Sequence, residues 1–315
     1  MRHIHLIDTS IASDNLGDEI IVEECRPYIK TLFPEAYITT SSGHDGLGPW
    51  GRQLVEKAEI AFLLGTNALA PHDQTKRRFI WTIREEDRPV LKNKVVLFGV
   101  GANRDFDKVL RVQRKLLAQV LSSRYAHAVR DSSGGRIVAA SGRKAINTTC
   151  PTLWRYADYS PSVPAEKPDT VCFTLTKHKS DPLDAEMVAI LKDTYQKLTF
   201  WPQQPRDLDY LRELTDLSGI TVLPASLGAY DAYLESTSTD VVGTRLHGCI
   251  RGLKHGHRVL AISIDNRARE IGAETGLPTL ARDDIPAQLV ERLASQSRPS
   301  LRIPSASINQ FLSQF

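Results

Sequence analysis

Cysteine, methionine and aromatic residues are scarce in this chain, and long apolar runs are missing. Four cysteines among 315 residues, with no CxxC spacing between any two of them, exclude a disulfide framework. We therefore predict reduced, mostly buried thiols, as in a cytoplasmic protein. The longest strongly apolar stretches, such as 95–102, have the length of a strand and are too short to span a bilayer. The first residues lead directly into a predicted strand, so we expect no signal peptide.

An excess of charge of one sign is also missing. The chain has 40 Lys and Arg residues against 37 Asp and Glu residues, a net charge of +3, with no basic block. Proteins that bind nucleic acids concentrate Lys and Arg on one face, so we expect no nucleic-acid partner. An apolar content of 41% and a charged content of 24% are typical of a globular protein. A chain of 315 residues can form two domains with separate cores.

Apolar runs of strand length alternate with amphipathic runs of helix length along the chain. In the first half, the pattern predicts strands at 3–8, 36–40, 60–64, 95–100, 126–129 and 145–149, and helices at 17–30 and 106–121. In the second half, it predicts strands at 171–176, 198–201, 220–223, 240–243 and 258–264, and helices at 182–197, 207–216, 227–235, 249–255, 267–275 and 286–295. Such alternation is typical of parallel sheets covered by helices on both faces.

A proline-rich segment, 158–169, interrupts this alternation with three prolines and predicts an exposed linker. We expect an α/β fold of two Rossmann-like, doubly wound domains that face a cleft. Their predicted bounds are 1–157 and 170–304, and the amphipathic segment 305–315 is expected to pack back on the first domain. In such sheets ligands bind outside the carboxyl ends of the strands, so chemically active residues should follow the predicted strands.

The most informative of these strand ends is Gly243-Thr244-Arg245-Leu246-His247-Gly248. It places a fixed cation two residues from a proton carrier, which suits an anionic substrate whose reaction moves a proton. The same six residues also fit an ordinary strand edge with an exposed arginine and a capping histidine.

Further polar residues follow the other predicted strands. Cations recur at Arg130, Lys177 and Arg267, and smaller polar groups or a histidine at Asn15, Gly17, Asp18, Asn67 and His178. A single such arginine is usually a solvated surface group, and the 14–19 loop also fits a simple helix N-cap. Several cations at the same edge favour an anion site. The histidine pairs at 3–5 and 255–257 lack a third ligand at suitable spacing, so we predict no metal.

Three short motifs, in this order and spacing, resemble those of the polysaccharide pyruvyl transferase family over nearly the whole chain. They are Asn15-Leu16-Gly17-Asp18, Val129-Arg130-Asp131-Ser132 and Arg245-Leu246-His247-Gly248. The last is the most specific. An aspartate-x-lysine element of the family corresponds to Asp265-Asn266-Arg267, where arginine replaces lysine.

The resemblance implies a two-domain fold similar to GT-B glycosyltransferases. It also implies transfer of the pyruvyl group of phosphoenolpyruvate to a sugar of a polysaccharide or lipid-linked oligosaccharide, as a ketal, with release of phosphate and no cofactor. By matched position, Arg130 and Arg245 would hold the donor and His247 would be the acid/base. We expect Lys177 and Arg267 to add to the donor site. The 15–18 loop, with Asn67 and His178, would lie at the acceptor side or line the cleft.

Two departures from the family pattern concern the acceptor. The glycine-rich run is reduced to Gly65-Thr66-Asn67, and Cys150-Pro151 stands where aspartate-proline is frequent. Acceptor specificity would come from loops such as 44–50 and 71–88. A lipid-linked acceptor would be met by peripheral contact at the cytoplasmic face of a membrane. The alternatives are a GT-B glycosyltransferase that uses a nucleotide sugar, with Asp265 on the donor ribose, and a non-catalytic glycan-binding protein.

Overall fold

The computed structural model describes residues 1–75, 80–102, 104, 106–295 and 299–315, and the chain divides into two compact units. The first unit comprises Met1–Ser13, Ile21–Asp158 and Ile303–Phe315, and the second comprises Asp14–Ile20 and Tyr159–Arg302. The contacts of residues 14–20 thus group them with the second unit, although the sequence-based boundary placed them in the first. Residues 76–79 of the predicted 71–88 loop, and Asn103 after the fourth strand, lie outside the described residues.

The first unit is built on a six-stranded parallel sheet. Its strands are β1 (His3–Asp8), β2 (Tyr37–Ser42), β3 (Ile60–Leu64), β4 (Val95–Val100), β5 (His127–Val129) and β6 (Ala145–Asn147). They are arranged in the order β2-β1-β3-β4-β5-β6. The residues of β3 and β4 are completely buried or nearly so, because helices cover a parallel sheet on both faces.

The helices of this unit are α1 (Leu16–Leu32, which begins in the second unit), α2 (Pro49–Lys57), α3 (Arg88–Leu91), α4 (Arg111–Val120), α5 (Ser132–Ala140) and a C-terminal helix, Ser305–Leu312. Phe311 of the C-terminal helix is fully buried, and its ring centroid lies 5.3 Å from that of Phe98. Helices α2, α3 and α5 were not predicted. In α5 two adjacent glycines hide the helical pattern, and the cap at Asp131, whose carboxylate accepts from the N–H of Gly134, sets its start.

The second unit contains another six-stranded parallel sheet. Its strands are β7 (Thr170–Thr174), β8 (Lys197–Phe200), β9 (Ile220–Val222), β10 (Asp240–Gly243), β11 (Val259–Ser263) and β12 (Thr279–Ala281). The strand order is β12-β11-β10-β7-β8-β9. The winding direction therefore reverses between β7 and β10, the place where ligands bind in open α/β sheets.

In the described part of this unit the α-helices are α6 (Leu183–Thr194), α7 (Pro205–Leu214), α8 (Leu227–Ser236), α9 (Leu246–Lys254), α10 (Asn266–Thr275) and α11 (Ile285–Ala294). Helix α9 begins three residues earlier than predicted, with Arg245 as its N-cap residue. As a result His247 lies in the first helical turn. The core is formed mainly by aliphatic side chains with Phe173, Phe200, Tyr195 and Tyr210.

The predicted fold class, α/β with two doubly wound parallel sheets, is confirmed. All four cysteines are buried free thiols, as predicted. Within the described residues, no helix combines the length and the apolarity needed to cross a membrane.

Candidate active site

The signature Gly243–Gly248 lies at the point where β7 and β10 separate. Gly243 has φ +152°, and a Cβ at this position would lie 2.3 Å from the carbonyl oxygen of Thr174. The N–H of Thr244 donates to that same oxygen over 3.1 Å. Because backbone approaches backbone this closely, only glycine fits, and the chain leaves β10 next to the end of β7.

Arg245 is 6% exposed and is held by a buried carboxylate. Its Nε donates to Oδ2 of Asp207 (2.9 Å) and to the carbonyl of Leu175 (3.1 Å), and its Nη2 donates to Gln204 and Asp207, each over 2.6 Å. Asp207 lies in the first turn of α7 and also accepts from the N–H groups of Gln204 and Lys177. Burial lowers the pKa of Arg245 and the Asp207 carboxylate opposes this shift, yet an arginine stays protonated.

Two further arginines and a histidine lie close enough to Arg245 to interact with it electrostatically. Arg206 and Arg267 lower the pKa of Arg245. Burial is the main cause that lowers the pKa of His178. The charges of Arg245, Arg206 and Arg267 lower it further, while the Asp207 carboxylate opposes the shift. We call the three arginines Arg206, Arg245 and Arg267 the cationic cluster, and His178, whose pKa is lowered, is its neighbour. Arg245, Arg267 and His178 were all predicted at strand ends.

Arg206 was missed from the sequence because it lies five residues beyond the predicted end of its strand. It is in the first turn of α7, about half exposed, and its Nε and Nη2 donate to Oε1 of Gln204. The signal that points to it is the Gln204-Pro205-Arg206-Asp207 sequence, which begins a helix at the carboxyl edge of the sheet.

His247 is buried in the first turn of α9 and is 3% exposed. The next residue, Gly248, packs against Trp201, and a Cβ at 248 would lie 3.3 Å from the indole ring. Tyr230 stacks on Trp201 at 3.8 Å and donates its hydroxyl to the carbonyl of Gly248. This aromatic pair fixes the turn that carries the histidine.

The Asn15 loop is bound to the end of β8. The N–H of Leu16 donates to the carbonyl of Gln203 (3.1 Å), and Nε2 of Gln203 donates to Oδ1 of Asn15 (2.8 Å). The same Asn15 oxygen accepts from the N–H of Gly17, and Asp18 is buried. Oε1 of Gln203 is buried 3.3 Å from where a Gly248 Cβ would be, and it has no partner among the described residues. The loop and the signature turn therefore meet through Gln203.

Lys177 follows β7 but its ammonium group does not join the cationic cluster. Its Nζ pairs with the carboxylate of Glu213 and lies 5.1 Å from the centroid of the Tyr210 ring. The predicted donor role of Lys177 therefore requires this ion pair to break.

In the first unit, Arg130 and Asn67 come together. Arg130 follows β5, is fully buried and donates to Oδ1 of Asn67. Its Nε lies 3.9 Å from Oδ2 of Asp131, and within the described chain neither Nε nor Nη1 makes a hydrogen bond. A Cβ on Gly101 would lie 2.6 Å from Nε of Arg130, so glycine leaves room for the guanidinium. Gly99 likewise leaves room for Pro151, because a Cβ on Gly99 would lie 2.2 Å from Cγ of Pro151.

No three potential metal ligands from His, Cys, Asp and Glu come together in the described parts of either unit.

Solved structures with a similar fold include a UDP co-structure and a putative UDP-N-acetylglucosamine 2-epimerase. The Staphylococcus aureus MnaA–UDP co-structure matches with a TM-score of 0.51 and 12% identity over 100% of this chain and 98% of that chain. A putative UDP-N-acetylglucosamine 2-epimerase from Listeria monocytogenes matches with a TM-score of 0.53 and 12% identity over 99% and 95%. At this identity the likeness shows the fold alone, which is of the GT-B type.

No protein of curated function matches the sequence. A family model does match it, over residues 15–266, and its description is polysaccharide pyruvyl transferase. The match begins at the Asn15 loop and ends just after Asp265, so it includes Arg130 and the Arg245–Gly248 signature. The chain therefore belongs to the polysaccharide pyruvyl transferase family.

Proposed function

We propose that this protein transfers the pyruvyl group of phosphoenolpyruvate to two hydroxyls of a sugar, forming a pyruvate ketal and releasing phosphate. The sugar belongs to a polysaccharide or a lipid-linked oligosaccharide. The observation that carries this proposal is the buried Arg245, held by Asp207 at the switch point of the second sheet and two residues before His247 in the first turn of α9. The family match supports the same reaction class.

The charge of the donor explains why three arginines would be needed. Phosphoenolpyruvate carries a carboxylate and a phosphate, and a phosphate monoester alone has about −1.5 to −2 charges at neutral pH. Guanidinium groups bind both anions bidentately. Since Nε and Nη2 of Arg245 are engaged with Asp207 and Gln204, the more exposed Arg206 and Arg267 would make most direct contacts, while Arg245 adds a fixed charge.

His247 would move the proton. It would protonate the methylene carbon of the enol ester, which gives the carbon bearing the phosphate cationic character, and a sugar hydroxyl would then attack that carbon. The histidine would take up the proton of this hydroxyl. Departure of phosphate would open the same carbon to the second hydroxyl, whose proton would leave with the phosphate. An imidazole suits both steps because its ordinary pKa is near neutrality.

The first test is phosphate release from phosphoenolpyruvate with a panel of soluble and lipid-linked oligosaccharides. The melting temperature of the protein should also be measured with phosphoenolpyruvate or a nucleotide sugar added. We expect stabilisation by phosphoenolpyruvate. Stabilisation by the nucleotide sugar instead would favour glycosyl transfer, for which Asp265 is poorly available because it caps α10 and pairs with Arg267.

The second test is His247→Gln. A positioned acid/base contributes about 100- to 10,000-fold, so we expect kcat to fall by that factor while donor affinity stays within about tenfold. His255→Gln, at the other end of α9 where the imidazole faces Asp231, is the matched control. Full activity in His247→Gln, or an equal loss in His255→Gln, would remove His247 from the reaction.

A further inference from the structure

A second concave site lies on the same edge of the second sheet, beyond the carboxyl ends of β11 and β12. Its volume is about 570 Å³, and the charged or hydroxyl side chains in its lining are those of Asp181, Ser263, Asp265, Arg269, Thr279, Arg282 and Asp283. We call it the acidic pocket. Its volume lies in the range of about 300–1,000 Å³ that is typical of small-molecule sites.

We propose that the acidic pocket binds a neutral sugar unit of the acceptor, an inference that rests on the proposed pyruvyl transfer. Three aspartates and two arginines line it, and Asp265 is itself paired with Arg267, so the pocket offers both carboxylates and guanidiniums without the excess of positive charge that would select phosphoenolpyruvate. A sugar hydroxyl both donates and accepts, and it can therefore donate to a carboxylate while accepting from a guanidinium. The cationic cluster and the acidic pocket would thus sort the two substrates by charge.

The wall formed by Arg282 is preorganised and incompletely satisfied. Its side chain is 10% exposed, its Nε lies 3.4 Å from Oδ1 of Asp184, and its Nη1 lies 3.5 Å from Oδ2 of Asp181. Its Nη2 is buried without a hydrogen-bond partner in the described residues. Arg282 as a residue lines the pocket, and two carboxylates hold its guanidinium in place, so it presents a fixed positive charge to a sugar oxygen there.

Asp181, which lines another part of the pocket, is held by a buried tyrosine–aspartate pair. Tyr210 donates its hydroxyl to Oδ2 of the fully buried Asp184 over 2.8 Å, and the same hydroxyl accepts from the N–H of Asp181 over 2.9 Å. Because both walls are tied to one buried tyrosine–aspartate pair, little conformational entropy is lost when a ligand binds.

Helix α10 connects the acidic pocket to the cationic cluster. Arg267 in its first turn belongs to the cluster, and Arg269 and Ala273 further along line the pocket. The helix approaches β12 closely, since a Cβ on Gly272 would lie 2.5 Å from Oγ1 of Thr279. A sugar in the pocket would therefore lie along the same short helix as the donor's phosphate or carboxylate.

The test uses methyl-labelled full-length protein, with the methyl signals of Ile264 and Ala273, which line the pocket, and of Leu246 beside Arg245. Neutral hexose and N-acetylhexosamine disaccharides are titrated separately from phosphoenolpyruvate. We expect the disaccharides to shift Ile264 and Ala273, and phosphoenolpyruvate to shift Leu246. Since the two ligands are followed by different signals, failure of donor binding is distinguishable from failure of the acidic pocket.

Ala273→Trp fills the pocket without removing a charge, and we expect it to weaken disaccharide binding, followed on Ile264, by about tenfold or more because the sugar loses its concave surface. Phosphoenolpyruvate affinity should not change. Ala232→Trp, an exposed alanine in α8, is the control. The proposal is overturned if Ala273→Trp binds disaccharides normally, if no disaccharide shifts Ile264 and Ala273, or if phosphoenolpyruvate or a nucleotide sugar shifts them instead.

Discussion

Arg130 and Arg245 invite comparison, because each follows a strand at the carboxyl edge of its own sheet and each is almost completely buried. Arg245 in the second unit makes two hydrogen bonds through Nε and further ones through Nη2, mostly to Asp207. Arg130 in the first unit donates to Asn67, while its Nε and Nη1 make no hydrogen bond with any described residue. Two arginines that look equivalent in the sequence thus differ in how many of their guanidinium N–H groups are hydrogen-bonded.

This difference shows which of the two guanidinium groups has hydrogen-bond donors without an acceptor among the described residues. Burying a charge costs stability unless it is paired and hydrogen-bonded. Asp207 stabilises Arg245, which therefore serves as a rigid part of the site. Arg130 keeps two unmatched donors next to a glycine, Gly101, and such unsatisfied groups are retained where they serve function. Arg130 thus retains unused hydrogen-bonding capacity within the described residues, whereas Nε and Nη2 of Arg245 are engaged.

Replacing each arginine by methionine gives the largest expected effect. Arg245→Met would leave Asp207 buried without its cation, and breaking a buried pair costs about 3–5 kcal/mol of the free energy of unfolding. Arg130→Met removes a poorly paired charge, so we expect a change within about 1 kcal/mol, of either sign. Urea unfolding followed by circular dichroism measures both.

The double variant Arg245→Met/Asp207→Leu is the control for this comparison, because it removes both charges together. It should recover part of the loss seen in Arg245→Met. Equal destabilisation by the two single methionine variants would contradict the different pairing of Arg130 and Arg245.

Two buried histidines of the first unit have strongly lowered pKa values and should make this unit sensitive to acid. Burial lowers the pKa of His5 and of His127 to about 4, with the charge of His3 adding to the effect at His5; at His127 the Ser122 carbonyl opposes it. Unfolded histidines titrate near pH 6.5. The folded state therefore binds fewer protons between pH 4 and 6.5, so stability is full above that window and is lost as the pH falls through it.

Each of these two histidines should contribute up to about 3 kcal/mol to this loss, since one pKa unit corresponds to about 1.36 kcal/mol. Hydrogen exchange at pH 7 and pH 5 should show protection falling in β1 and β5, where the two residues lie. His127→Gln should reduce the acid sensitivity of β5. An unchanged pH dependence in that variant would show that His127 is not the titrating group.

Much of the fold followed from the sequence because the apolar runs are long and bounded. The strands at Ile60–Leu64, Val95–Val100 and Asp240–Gly243 match their predicted bounds, and no strand deviates by more than two residues at either end where one was predicted. Strand β12, Thr279–Ala281, was missed because it is an edge strand in which only the central Leu280 is buried. Its place in the sheet comes from pairing with β11.

The candidate site was only partly predictable. Strand ends pointed to Arg245, Arg267 and His178 because carboxyl ends of parallel strands share one edge. Pairing depends on tertiary contacts, so the sequence could not show that Lys177 binds Glu213 or that Asp207 holds Arg245. The grouping of the Asn15 loop with the second unit depends likewise on Gln203, nearly two hundred residues away in the chain.

Replacing Arg206 should have the smallest effect on stability. The variant therefore tests how the charge of Arg206 contributes to donor binding without disturbing the fold. Its side chain is 48% exposed and bonds to Gln204, so Arg206→Gln should change the free energy of unfolding by less than about 0.5 kcal/mol. The loss of one charge-assisted contact should weaken phosphoenolpyruvate binding about tenfold, and less so at high salt because screening reduces exposed charge interactions. Isothermal titration calorimetry at two salt concentrations measures this.

Arg212→Gln, on the same helix and paired with Asp209, is the control for Arg206→Gln. Equal weakening in both variants would show that net charge rather than the position of Arg206 attracts the donor.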